Sequence, residues 1–270
     1  MHVHSNLSDG THSPEEVVDL AQEAGLKTIA LTDHDNIDGI DRAMDEGRRT
    51  NVEVIAGIEF TCEVPKAEIH ILGYFIDQRN PELTSVLNVI QEDRVRRIYK
   101  ITEKLKSLGV ELKPEEVLAL SGKKAPGRPH VARALIKRGA VGSFKEAFRR
   151  YLDFRAPAYV SHYKLSPAEA IKLIRQVKGV AVFAHPAVSN CDEIIPELIG
   201  EGLRGLEVYY TGHSPQQTKH YLSLARKYGL LITGGSDFHG LDSGREVKLG
   251  ALTIPDELVE KLRNEHLRGN

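Results

Sequence analysis

The feature that most restricts how this chain can fold is a set of short histidine and carboxylate stretches spread along its whole length. They are His2-Val-His4 with Asp9, Thr32-Asp33-His34-Asp35, Glu59 with His70, and Ser236-Asp237-Phe238-His239. Each stands at or beside the end of an apolar, strand-like run, and a further run, Val180 to Ala184, closes on His185-Pro186. Side chains two apart on extended backbone point the same way, so His2 with His4, or Asp237 with His239, can face a common point. A single His-x-His is ordinary. Imidazoles and carboxylates repeated at so many strand ends point to a shared multinuclear metal centre.

Between these stretches the sequence has a βα rhythm. Ser13, Pro14 and Glu16 read in turn as N-cap, first helical position and capping-box acid. Val17, Val18, Leu20, Ala21 and Ala24 follow at helical spacing before Gly25. Lys27 to Thr32 is strand-like and ends at Asp33-His34. A second helix is predicted over about 37–49, and residues 52–56 lead to Gly57-Ile58-Glu59. The pattern returns with a helix from Ser166-Pro167 before the strand ending at His185, a helix near 192–200 before residues 205–208, and a helix near 215–228 before residues 230–233 and Ser236-Asp237. Each strand is expected to end on a histidine or a carboxylate.

This alternation predicts an α/β barrel, whose strands all present their carboxyl ends on one face, so that ligands distant in sequence converge. An open doubly wound sheet gathers residues mostly at one switch point, and convergence from six or seven strands favours the closed form. From about Asn80 to Ser161 the rhythm gives way to a charged helical stretch. Leu83, Val86, Leu87, Ile90, Val95, Ile98, Ile101 and Leu105 recur there at helical spacings. The expected organisation is a barrel of residues 1–79 and 162–270 carrying a helical cap at 80–161.

A chain of 270 residues with 41% hydrophobic content can bury one sizeable core. A net charge of −2 supplies no basic field, so long nucleic acid is not an expected partner, whereas a small anionic substrate is compatible. No apolar run approaches the ~20 residues that span a bilayer, and the N-terminus lacks the basic and apolar regions of a signal peptide. A cytoplasmic location without membrane contact is expected. Cys62 and Cys191 stand too far apart in sequence to suggest a disulfide framework or a thiolate zinc site, and are expected to be small buried or neutral residues.

Taken together, His2-x-His4-Ser5, Ser8-Asp9-Gly10, Thr32-Asp33-His34-Asp35, Gly57-Ile-Glu59, His70-Ile-Leu72-Gly73-Tyr74, Ala184-His185-Pro186 and Gly235-Ser236-Asp237-Phe238-His239 resemble the polymerase and histidinol phosphatase (PHP) family. The resemblance spans almost the whole chain. It is closest to stand-alone bacterial members with a helical insertion, which are phosphatases of nucleoside 3′,5′-bisphosphates or monophosphates, or 5′-to-3′ exonucleases on short RNA. The resemblance implies a distorted (β/α)7 barrel with three divalent ions, manganese, iron or zinc, in its mouth. Carried over by position, His2, His4, Glu59 and Asp237 would hold the first ion. Glu59 would bridge to a second held with His70 and His185, and Asp9, His34 and His239 would hold the third. Bridging calls for a carboxylate with two oxygens, and imidazole with carboxylate suits these metals. Asp33 and Asp35 are expected to support rather than ligate. Family members usually carry an apolar strand ahead of the first His-x-His. Here His2 follows Met1 directly, so that strand is expected to be nearly absent: either the sequence begins late, or His2 sits on a frayed end.

The implied reaction is hydrolysis of a phosphomonoester of a small nucleotide, a nucleoside 3′,5′-bisphosphate or monophosphate, by metal-activated hydroxide. Glu59 and Asp237 are the expected catalytic carboxylates. His213 reads either as proton donor to the leaving group or as a loop and helix-capping residue, and Glu207 either as support for the ligands or as a solvated strand end. Arg128 and His130, at the helix start Gly127-Arg128-Pro129-His130, are expected to grip phosphate, with Arg155 as a further candidate. Arg94, Arg96 and Arg97 read as an anion patch or, as charge runs on long helices usually do, as a solvated face. Tyr159, Tyr163, Tyr209 and Tyr210 read as base-stacking residues or as core and rim. The alternatives are a 5′-to-3′ exonuclease trimming short oligoribonucleotides, a histidinol phosphatase, and a non-catalytic metal-stabilised module that binds a partner.

Overall fold

Ser13 opens the first helix as its sequence predicts: its side chain accepts the Glu16 N–H while the Glu16 carboxylate accepts the Ser13 N–H, which fixes α1 at Pro14–Glu23. Ser166 and Ser214 start two later helices by the same reciprocal capping. The computed structural model describes residues 1–65, 67–121, 125–161, 163–240 and 247–269. After α1 come β1 (Thr28–Leu31), α2 (Ile40–Thr50), β2 (Glu53–Val64), β3 (Ala67–Tyr74), α3 (Pro81–Ser107), α4 (Pro114–Leu118), α5 (Arg128–Lys137) and α6 (Phe144–Ala147). They are followed by α7 (Pro167–Gln176), β4 (Val180–Phe183), α8 (Pro186–Ser189), α9 (Ile195–Glu201), β5 (Gly205–Tyr210), α10 (Pro215–Tyr228), β6 (Leu231–Gly235) and α11 (Asp256–Gly269).

The strands form one sheet in the order β1-β2-β3-β4-β5-β6. Val3 pairs with Leu31 of β1 on one side and with Phe238, just past β6, on the other, so the N-terminal stub joins the two edges. Thr32 N–H donates to the Val3 carbonyl and His4 N–H to the Phe238 carbonyl, each at 2.9 Å. The curled sheet is a distorted (β/α)7 barrel in which this stub takes the place of the first strand. The expected frayed end is not found: His2 and His4 are fully buried. Gly235 lies so close to His2 that a Cβ there would collide with it.

The expected end of β2 at Glu59 is also corrected. The apolar run continues through Phe60 and Cys62, no breaker intervenes before Pro65, and the strand runs on to Val64. It returns through β3 as an antiparallel hairpin, and β3 meets β4 antiparallel as well, while the other strand pairs are parallel. Glu59 and His70 therefore reach the site from within strands, where the sequence suggested strand ends.

In the helical stretch, Leu83, Leu87 and Ile90 of α3 pack into the barrel core with Ile58, Phe60, Ile71 and Phe183. Further along the same helix, Ile98, Ile101 and Leu105 gather instead with Val131, Leu135 and Leu152 in a separate apolar cluster. The change of packing partner falls near Arg94 rather than at Asn80. His162, where the return to the barrel is expected, lies outside the described residues. Cys62 and Cys191 are buried thiols. Among the described residues no helix is long and apolar enough to cross a membrane.

Candidate metal centre

His2 and His4 leave the N-terminal stub on one side, as residues two apart on extended backbone must. They meet Glu59 of β2 and Asp237 beyond β6. His2 Nε2 and His4 Nε2 lie 3.1 Å apart, and each is 3.1 Å from Glu59 Oε2. Asp237 Oδ1 stands 3.4 Å from His2 Nε2 and 3.1 Å from His4 Nε2. Corners spaced this way surround a point about 2 Å from each, the bond length that zinc takes with nitrogen and oxygen. Lone pairs and anionic oxygens crowd this closely only with positive charge between them.

The other oxygen of Glu59 serves a second group. Its Oε1 is 2.8 Å from His70 Nδ1 and 3.1 Å from His185 Nε2. His34 faces two ways, with Nδ1 3.2 Å from Glu59 Oε2 and Nε2 4.0 Å from Asp9 Oδ1. His239 Nε2 completes the far side at 3.0 Å from Asp9 Oδ1. Every ligand candidate from the sequence thus reaches one cluster, in overlapping sets: His2, His4, Glu59 and Asp237; Glu59 with His70, His185 and His34; and Asp9, His34 and His239 with His4. The overlap is wider than the partition implied by the resemblance, because His34 and His4 each face two sets.

The charges in the cluster hold one another. Burial pushes the Glu59 carboxyl up, but His2, His34 and His70 outweigh it and keep it well below the usual carboxylate range. Asp9 is lowered in the same way, His239 and His34 overcoming its burial. Burial lowers His4 and His70, yet neighbouring carboxylates carry them to about 9 and about 10. Asp9 Oδ1, His34 Nδ1 and Glu59 Oε2 are buried without a hydrogen bond, a pattern that calls for an ion. Imidazoles and carboxylates without a thiolate fit manganese, ferrous iron or zinc.

A model of the PHP domain matches residues 1–160. The chain belongs to the PHP family. It is 32% identical over 254 residues to a 3′,5′-nucleoside bisphosphate phosphatase of Chromobacterium violaceum, covering 92% of this chain and 89% of the relative. It is 31% identical over 264 residues to a 5′-3′ exoribonuclease of Haemophilus influenzae, covering 94% and 96% respectively. Among solved structures, a provisionally named metal-dependent phosphoesterase of Bifidobacterium adolescentis superposes with a TM-score of 0.89 at 31% identity, over 97% of this chain and 93% of that one.

Beside the candidate ligands, Glu207 of β5 is fully buried and is no solvated strand end. Its Oε1 and Oε2 lie 3.1 and 3.3 Å from His2 Nδ1, and Oε2 accepts the His185 N–H at 2.8 Å. The bond at Nδ1 leaves Nε2 to face the cluster. His185 (φ 26°) and Asp237 (φ 51°) adopt positive φ, which non-glycine residues rarely do and which turns each ligand inward. Asp33 accepts the Ser5 N–H and hydroxyl at 2.8 and 2.6 Å, and Asp35 pairs with Arg94.

A cavity of about 140 Å³ adjoins the PHP centre, lined by Asp9, His34 and His70 together with Arg94, Arg97 and Arg128. Arg128 lines this cavity with its Nη2 2.9 Å from Glu68. Arg94 and Arg97 are only 5% and 3% exposed, against the solvated reading, and of the three only Arg96 is exposed. The signal was in the spacing: Leu83, Leu87, Ile90, Arg94, Arg97, Ile101 and Leu105 step by three and four, so both arginines occupy the inward stripe of α3.

Three further candidates stand outside the lining of this cavity. His130 is fully buried and its Nδ1 accepts the Gly127 N–H at 3.0 Å, which caps α5. Arg155 is exposed and lies over the Phe154 ring, apart from the cavity lining. His213 rests its Nδ1 3.0 Å from the Val208 carbonyl and packs against Tyr210 and Tyr221, lining a different groove, in keeping with the loop reading of its sequence.

Proposed function

We propose that the protein hydrolyses a phosphomonoester of a small nucleotide, a nucleoside 3′,5′-bisphosphate or monophosphate. Its coarser assignment, a hydrolase of phosphoester bonds, stands on PHP membership and on the phosphatase-named relative. The observation that carries the finer reading is the shared cavity, in which imidazole and carboxylate donors and buried guanidiniums face the same space. Donors for dications suit a reacting phosphate, and guanidiniums suit anionic oxygens beside it.

In this reading His2, His4, Glu59 and Asp237 hold one ion, Glu59, His70 and His185 a second, and Asp9, His34 and His239 a third, with manganese, iron and zinc all suitable. Bound there, divalent ions withdraw charge from the ester and make water acidic enough to attack phosphorus near neutral pH. Glu59 contributes one oxygen to each of two donor sets, and Glu207 keeps His2 in the tautomer whose Nε2 faces inward. Arg128, paired with Glu68 in the first turn of α5, adds positive charge to the wall that faces the phosphate. Residues 80–161 serve as a cap that carries the arginines to the barrel mouth. A cytoplasmic location accords with a nucleotide substrate.

The Haemophilus relative favours a second reading, stepwise trimming of short RNA at the same centre. Phosphate release from nucleoside bisphosphates, monophosphates, histidinol phosphate and short 5′-phosphorylated RNA, measured with manganese-loaded protein, separates these readings. Release from the bisphosphate or monophosphate is expected. Nucleotide release from RNA alone would favour trimming, and no release from any substrate would return the chain to a binding module.

A further inference from the structure

We infer that Arg97 receives a second anionic group of the substrate, a phosphate one sugar removed from the one hydrolysed, and so sets a preference for doubly over singly phosphorylated nucleotides. This rests on the nucleotide phosphatase reading above.

The inference comes from the cations that meet beside the metal ligands. Arg94 is committed: its Nε and Nη2 both bond Asp35, its Nη2 also bonds Thr61 Oγ1, and the side chain is buried. Arg128 is committed to Glu68, and Lys164 neutralises the rest of that acid, lying 2.8 Å from Glu68 and 3.2 Å from Glu63. Arg97 differs. Its Nε donates to the Val160 carbonyl at 2.7 Å, and its guanidinium and that of Arg128 both lie 5.8 Å from the Tyr159 ring centre. Among the described residues its ion pair with a carboxylate is missing, and its Nη2 is buried without a hydrogen bond.

A buried, uncompensated guanidinium is costly unless something anionic completes it. Burial, with Arg128 and Arg94 adding repulsion against the pull of Glu68, lowers Arg97 to about 9. Arg97 lines the same cavity as His34, His70 and Asp9. A phosphate held there shares one molecule with a phosphate at the metal ligands, and phosphate oxygens match the donor fork of arginine better than a single carbonyl does.

The test compares wild type with Arg97→Gln and with Arg97→Lys, which keeps the charge; thermal melting confirms that each variant is folded. Metal-stripped protein is titrated calorimetrically with adenosine 3′,5′-bisphosphate and with the 3′- and 5′-monophosphates. Wild type is expected to bind the bisphosphate more tightly than either monophosphate, and Arg97→Gln to narrow that ratio by on the order of 10- to 100-fold, the loss of one charged hydrogen-bonding partner. Arg97→Lys is expected to fall between. A wild-type protein that does not discriminate, or a ratio that Arg97→Gln leaves unchanged, overturns the inference. Release of phosphate by the manganese-loaded wild type tests the activity separately, so a failed activity and a failed assignment of Arg97 give different results.

Discussion

The Glu207 carboxylate grips His2 and His185 at once, meeting the ring nitrogen of one at 3.1 Å and the backbone N–H of the other at 2.8 Å. Two donors need two acceptors, and a carboxylate has them. Glutamine in its place would turn an N–H toward one of these donors. Glu207→Gln is expected to weaken manganese binding about 10- to 100-fold while the melting temperature of the metal-free protein stays close to wild type. Calorimetric titration with manganese decides it; unchanged affinity would remove Glu207 from the support of the centre.

Glu59 splits its two oxygens between donor sets, with Oε2 facing His2 and His4 and Oε1 facing His70 and His185. An amide offers one neutral oxygen and a competing N–H. Glu59→Gln should lower kcat by about 10³-fold or more, several kcal/mol of lost charge stabilisation, and reduce the metal content of the folded protein. Near-wild-type turnover at full metal loading would disprove the bridging role.

Arg94 and Arg96 test how much position on one helix matters. Arg94 forms a buried pair with Asp35, whereas Arg96 pairs with Asp93 at the surface. Arg94→Met strands a buried carboxylate and is expected to cost about 3–5 kcal/mol in urea unfolding. Arg96→Gln should cost less than about 1 kcal/mol. Similar losses from both would mean that the Asp35 pair contributes little.

His130, which is not itself a candidate ligand, supplies a pH dependence of its own. Burial, reinforced by Arg133 and Arg94 against the pull of Asp9, lowers it to about 4 from an ordinary value of 6.5. The unfolded chain therefore binds the extra proton between these values. The stabilising contribution is complete above pH 6.5 and is lost as pH falls toward 4, by up to about 3 kcal/mol. Urea midpoints of metal-free wild type and His130→Gln at pH 7 and pH 4.5 check the sign. An equally steep acid loss in the variant would locate the effect elsewhere.

The barrel and the clustering of its histidines and carboxylates were legible because they depend on local chemistry: a Ser-Pro-x-Glu cap, or a histidine closing an apolar run, carries its meaning within a few residues. What the sequence hid was set by packing. Nothing near Glu59 announces that β2 runs on and folds back, since an apolar run looks the same whether it ends a strand or continues. His130 looked like a phosphate ligand because a basic residue at a helix start has two uses, and only burial tells the cap from the contact. Of the two readings open for Arg94 and Arg97, the solvated one fails because their spacing from Leu87 and Ile90 puts them in the inward row, which their polar neighbours Asp93 and Arg96 obscure.

Val3 zips the first and last strands of the ring together, and the ligands on either side of it, His2 and His4, come from one end of the chain while Asp237 and His239 come from the other. The two donor groups that join His2 or His4 to Asp237 or His239 therefore cannot be complete in a partly synthesised or C-terminally clipped chain, however well its middle is folded. Filling those two groups would report that the whole ring has closed.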